Sequence, residues 1–364
     1  MSVHITLTET QMPPSEQFLG FVDAWLSGAE FDGSNWASFG QERPQRLGRG
    51  LSGSASTQLQ QRVADSATGM SLLRRAYELF VALLIGDVDA IRAVQQQFRF
   101  ALVVGAPRSG GKYLTKEMFR ALGHIPNRVP AVIAHDGFPE AGPWRFDRSG
   151  TTWLESLHSM AEYLAMVELF FVAADRHEGR IVVPKKATKA VYAPGLFQSV
   201  LGDDMDGIIT IRHPVPACIS TYEASGGLPA DQRFVQRGNI EHLWARDLMS
   251  AGITARELAD MNYFDAYLRY WEDYYVRVSL DGAKIARYYR VVAYGAERFV
   301  REAQGNANRF GSSRVVEVEE FHVQDRRDYH PEWLARAEPA LRRVSEQWAR
   351  VGLAFPLEEI AECW

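Results

Sequence analysis

The stretch "FALVVGAPRSGGKYLTKEMFRALG", Phe100 to Gly123, constrains this chain more than any other. A short apolar run ends in glycine, proline and serine; an amphipathic helical pattern follows and stops at Gly123. Strand, glycine loop, helix is the unit that opens an α/β nucleotide-binding domain. Free N–H groups at the start of such a helix carry partial positive charge and point at whatever sits there. An anion is the natural occupant. Gly105 and Gly110 let the backbone turn tightly and approach that anion closely.

The remaining pattern predicts one parallel α/β domain with a helical appendage. Residues 14–30 and 57–97 carry apolar positions at helical spacing, among them Phe18, Phe21, Trp25 and Leu26. Between them, 31–56 is rich in Gly, Ser and polar residues and reads as a loop. The expected organisation is an N-terminal helical extension over 1–97 and a P-loop-type α/β domain over 98–364. Further strands are expected at "RIVVP" (180–184), "GIITI" (207–211), "KIARYYRVVAY" (284–294) and "RVVEVE" (314–319), with helices between them. A closing helix from Pro331 to about Val351 places Trp333, Leu341, Val344 and Trp348 on one side. The aromatic run "NYFDAYLRYWEDYYVRV" has helical spacing and reads as core packing.

Composition removes several function classes. A net charge of -5 argues against a general nucleic-acid binder, which needs a basic surface, although one basic pocket remains compatible with it. Two cysteines, Cys218 and Cys363, make no disulfide framework, which predicts a reduced, cytoplasmic setting. "MSVHITLTETQMPPSEQ" has no basic stretch followed by an apolar run, so no signal peptide is expected there. Apolar runs such as Leu79–Ile85 are too short to span a bilayer. No HExxH-type spacing relates the histidines, and no metal is expected.

A nucleoside-triphosphate loop runs G-x-x-x-x-G-K-[ST]. Gly105 and Gly110 have that spacing, but Gly111 follows, Lys112 arrives one position late, and Tyr113 stands where a magnesium-holding hydroxyl belongs. A second constellation, "IITIRHPVPACISTYEASGG", delivers Arg212 to a strand's C-terminal end, with Ser220 eight residues on. Ligands of open α/β sheets sit outside those strand ends. Arg212 as a fork and Ser220 as a hydroxyl donor can grip a phosphate there.

"GAPRSGGKYL" resembles the 5′-phosphosulfate loop of sulfotransferases that use 3′-phosphoadenosine 5′-phosphosulfate (PAPS), whose usual form runs PKSGTTW or GAPRSGTTWL. "IRHPVPACISTY" is similar to that family's 3′-phosphate motif, with the same Arg-to-Ser separation. "YYRVVAYGAERFVREAQGNANRFG" and "HPEWLARAEPALRRVSEQWARVGL" resemble its later strand–helix segment and closing helix, so the likeness covers about 100–355. The resemblance implies a PAPS site built by Arg108, Ser109, Gly110, Gly111, Lys112, Tyr113, Arg212, Ser220 and Tyr294, with Arg326 and Arg327 where the family has a C-terminal basic segment. Gly111 and Lys112 replace two threonines that bond the 5′-phosphate. Tyr113 replaces a Trp that stacks on adenine.

Sulfuryl transfer needs donor and acceptor in line and charge neutralised on the leaving phosphate, a task basic side chains can perform without a metal. Arg108 is the expected catalytic cation, acting electrostatically because a guanidinium does not readily release a proton, with Lys112 as its helper. The family's "KTH" His is absent: in "VPKKATKAVYAP", Ala187 falls at its position. His135 in "AVIAHDGFPE" is the first candidate general base, Asp136 the second and Glu140 a distant third. Lys185 and Lys186 are candidates to line the site, and His213 to approach the nucleotide. The expected acceptor is a small molecule or glycan. A P-loop kinase or phosphotransferase, and a non-catalytic nucleotide-binding relative, remain the alternatives.

Overall fold

Phe98–Val104 carries apolar side chains toward both faces, the mark of a strand covered on both sides, and forms β1. In the computed structural model it is joined by β2 (Ile181–Lys186), β3 (Asp206–Ile211) and β4 (Tyr289–Ala293). The structure describes residues 13–29, 31, 53–135, 151–188, 190, 194–315 and 317–363. The described strands make one parallel sheet in the order β2-β1-β3-β4. The fold is therefore α/β, a parallel sheet flanked by helices.

Helices in chain order are α1 (Glu16–Leu26), α2 (Gly53–Ala64), α3 (Ala67–Ile85), α4 (Val88–Gln97), α5 (Gly111–Ala121), α6 (Ala131–Ala134), α7 (Thr151–Phe170) and α8 (Pro194–Leu201). They continue as α9 (Pro214–Ala224), α10 (Asn239–Ser250), α11 (Ala255–Asp260), α12 (Tyr263–Ser279), α13 (Gly282–Tyr288), α14 (Ala296–Arg309), α15 (Pro331–Arg350) and α16 (Leu357–Glu362). Alternation along β1 divides the interior. Ala101 and Val103 meet Leu114 and Met118 of α5 and Phe299 of α14. Phe100, Leu102 and Val104 enter the larger core on the other face, with residues of α7, α12 and α15. That core also takes Phe18, Val22, Val63 and Leu79 from the N-terminal helices. Their packing is continuous with the sheet's: Ser15 caps α1 and donates from both its backbone N–H and its hydroxyl to the buried Glu162 carboxylate of α7, at 2.7 and 2.6 Å.

Two expected strands are corrected. Lys284–Tyr288 is helical, because Asp281 caps α13 through Lys284 N–H, and the strand begins only at Tyr289. The described residues of 314–319 pair with no strand. They run as a strap along α5, where Tyr113 Oη donates to the Glu319 carbonyl and Arg120 pairs with the Glu319 carboxylate. Gly123 ends α5 as expected, at φ +85°, with His124 N–H returning to Phe119 O. Among the described residues no helix is long and apolar enough to cross a membrane.

The sheet order positions the site. From β1 the chain moves on to β2 on one side; from β3 it moves on to β4 on the other. The crevice above the C-terminal ends of β1 and β3 is thus a topological switch point, where open α/β sheets take their ligands.

Candidate functional site

The glycine loop sits at that switch point and is held from below. Gly105 N–H donates to Tyr274 Oη at 2.9 Å, and Ala106 N–H to Tyr275 Oη at 3.3 Å. Those hydroxyls donate onward to the carbonyls of Thr188 and Thr210, at 2.7 and 2.8 Å. Ser109, buried, lies 3.4 Å from Tyr275 Oη. The loop has no slack. A Cβ on Gly110, at φ +84°, would lie 1.9 Å from the Phe299 ring. Arg108 is left-handed, at φ +68°, a strained state for a non-glycine residue that costs about 1 kcal/mol and needs surrounding contacts to persist. Helix α5 starts at Gly111, at the C-terminal end of β1, with no side-chain cap on its first amides.

Arg108 joins the two motifs. Its Nε donates to Ser220 Oγ at 2.9 Å, across 112 positions of sequence. Arg212 Nη1 donates to Arg108 O at 3.3 Å, and its guanidinium lies over the Tyr294 ring, 4.0 Å from the centroid. Trp271 Nε1 holds the Arg212 carbonyl at 3.1 Å. Arg212 is 2% exposed, and among the described residues its Nε and Nη2 have no hydrogen-bond partner. Burial lowers the Arg212 guanidinium to about 10 and lowers Arg108 as well, with Arg326 adding to both shifts. A buried cation that must stay charged is strongly favoured by an arriving anion.

Arg326 is brought to this group and Arg327 is not. Arg326 is buried and donates through Nε and Nη2 to Glu223 Oε2, at 3.2 and 2.7 Å, one turn beyond Ser220 on α9. Arg327 is exposed and donates to the Glu362 carbonyl. His213 does not reach out either. It caps α9, Nδ1 accepting from Val215 N–H at 3.3 Å, and burial lowers it to about 3, which keeps the imidazole neutral.

On the other side of the loop, Tyr113 packs against Phe299 and Phe321, with centroids 6.2 and 4.7 Å away. Tyr294 packs on the same two rings, 5.4 Å from each. Tyr113 is thus committed to the chain's own aromatics, in a group that Tyr294 shares.

β2 ends beside the loop. Lys185 is buried, donates to the Val132 and Ile133 carbonyls at 3.2 and 2.9 Å, and lies over the Tyr163 ring. It serves α6 rather than the crevice. Lys186 runs past Gly111 and donates to Thr188 Oγ1 at 2.6 Å. His135 ends α6 and forms a parallel bridge with Lys186, which sets it at the C-terminal rim of the sheet. Lys112 is lowered from the usual lysine range, first by burial and then by Lys116, Arg108 and Lys186 nearby. Asp136 and Glu140 lie outside the described residues.

The crevice therefore gathers guanidinium and ammonium groups on a chain whose net charge is -5. The fold class stands as α/β, with its candidate site at the β1/β3 switch. Compared with protein-family models, with curated proteins and with solved structures, the chain matches none. Several partners escaped the sequence: Tyr274 and Tyr275, whose aromatic spacing revealed a core but not two loop-holding hydroxyls; Phe299 and Phe321; and Glu223, three residues after Ser220, the one spacing that could have exposed it.

Proposed function

We propose that this protein transfers a sulfuryl group from PAPS to a hydroxyl or amine of a small-molecule or glycan acceptor. The observation that carries the reading is the meeting of Arg108, Arg212 and Ser220 beside the uncapped start of α5. Two phosphate-binding devices, separate in sequence, face one crevice.

The residues fit the nucleotide's phosphate groups. Arg212 has buried N–H donors without partners among the described residues, Ser220 offers a hydroxyl, and α5 offers backbone amides. Tyr113 fits less well as an adenine platform, because its ring already packs on Phe299 and Phe321; no base contact is assigned to it. PAPS would supply a sulfuryl group on a phosphate leaving group. Arg108 neutralises charge at that end of the crevice, where its bond to Ser220 holds the guanidinium. Lys112 adds a second cation. His135, on the rim beside Lys186, is the candidate to take the acceptor's proton. The acceptor enters over the rim formed by α6 and the end of β2.

The test is calorimetric titration with 3′-phosphoadenosine 5′-phosphate, with AMP and Mg·ATP alongside, on the wild type and Arg212→Ala. The expected result is a preference for the 3′-phosphate of about 100-fold that disappears in Arg212→Ala, the scale of losing a charged hydrogen-bonded pair. Equal affinity for AMP, or stronger magnesium-dependent ATP binding, would overturn the reading in favour of a phosphotransferase. Tight 3′-phosphate binding with no product from any acceptor would indicate a non-catalytic binder.

A further inference from the structure

Gly111 stands where the usual loop carries a hydroxyl residue, and the Lys186 side chain runs alongside it. A Cβ built on Gly111 would lie 3.5 Å from Lys186 Cε and 3.6 Å from Lys186 Cδ, with Val103 Cγ1 at 3.4 Å. The stem of Lys186, coming from the end of β2, thus lies within van der Waals distance of a Cβ at 111. Its ammonium is one bond beyond Cε and is steadied by the buried Thr188 hydroxyl at 2.6 Å. β1 and β2 are in register here, Val103 opposite Lys186, so the placement follows from strand pairing rather than from a flexible surface excursion.

We infer that Lys186, oriented by Thr188, is a 5′-phosphate-binding residue that works with Lys112 across Gly111 and takes over the role of the loop's missing hydroxyls. The inference rests on the proposed nucleotide reading and adds to it the residues that hold the 5′ end. Two ammonium groups across a residue with no side chain form a cradle for a doubly charged anion. Burial, then Lys116, Arg108 and Lys186 raise the cost of Lys112's charge, a cost that an arriving anion offsets. A hydroxyl contributes one donor without charge; an ammonium contributes three and a full charge. The substitution at 111 and 112 is thus a change of binding chemistry rather than a loss of it. It predicts a steeper salt dependence of 5′-phosphate binding than hydroxyl donors would produce.

The test uses the full chain and three probes: 3′-phosphoadenosine 5′-phosphate, adenosine 3′-phosphate, which lacks the 5′ group, and inorganic pyrophosphate. Lys186→Met keeps the stem and removes the charge. It is expected to weaken the bisphosphate at least tenfold while leaving adenosine 3′-phosphate within twofold; Lys186→Arg is expected to recover most of the loss. Arg212→Ala is expected to weaken both 3′-phosphate nucleotides and to leave pyrophosphate within twofold. Equal weakening of both nucleotides by Lys186→Met, or no weakening of either, would overturn the inference, since a structural role moves both together. The proposed function fails separately, by a wild type that shows no preference for a 3′-phosphate. In that case a tenfold loss of pyrophosphate binding in Lys186→Met still supports the cradle. A wild type that binds none of the three probes overturns it.

Discussion

Two helices leave adjacent strands of this sheet in the same direction and treat their N-termini in opposite ways. α5 follows β1 through a six-residue loop, 105–110, and begins uncapped on Gly111. α9 follows β3 after only Arg212 and His213, and its start is closed: Pro214 and Pro216 have no N–H, and Val215 N–H is taken by His213. Topology alone therefore does not make an anion site. α5 leaves its first turn without a side-chain cap, the arrangement that suits an anion. α9 is sealed at its start and carries side chains instead, Arg212 before the helix and Ser220 within it. The two modes are complementary, and Arg108 joins them by donating to Ser220.

Breaking the open end should have the largest effect. Gly110→Ala forces a Cβ to within 1.9 Å of the Phe299 ring at φ +84°. It should cost about 3 kcal/mol in denaturant titration and abolish nucleotide binding. Pro214→Ala at the sealed end should cost under about 1 kcal/mol and leave affinity unchanged.

Acid tests the seal. His213 is held neutral, at about 3 against an ordinary value near 6.5, so the unfolded chain takes up a proton that the folded one refuses. Stability from this group is complete above pH ~6.5 and falls as pH drops toward 3, by a few kcal/mol in all. Urea midpoints from pH 7 to 4 should show the slope in the wild type and a shallower one in His213→Asn. At pH 7, His213→Ala should cost about 1 kcal/mol for the lost cap, read as a shifted urea midpoint with the 3′-phosphate preference intact.

A single hydroxyl under the open loop sharpens the comparison. Tyr275→Phe removes the hydroxyl between Ala106 N–H and Thr210 O, leaving both loop and strand short of a partner. About 1–2 kcal/mol of stability should go with it. Nucleotide affinity should fall a fewfold, because the open loop depends on that support.

Much of this was legible locally. The β1–loop–α5 unit and the Arg212–Ser220 spacing each lie within about two dozen residues, so periodicity and turn chemistry exposed them. What failed was of two kinds. Lys284–Tyr288 is a short stretch of mixed polarity, which suits helix or strand equally until a cap such as Asp281 decides. Arg326 and Arg327 are neighbours with the same side chain, yet one is buried against Glu223 and the other turns to Glu362. Nothing in their own sequence distinguishes them.

The sequence by itself determined an α/β chain, a glycine loop suited to an anion, and a second strand ending in arginine. These depend on interactions between near neighbours, which spacing reports. Only the tertiary structure decided which cations share the crevice. Strand order set β1 beside β3, register set Lys186 beside Gly111, and helix packing set the hydroxyls of Tyr274 and Tyr275 under the loop. Those contacts join residues up to 169 positions apart, and they exist only once burial has brought the strands and helices together.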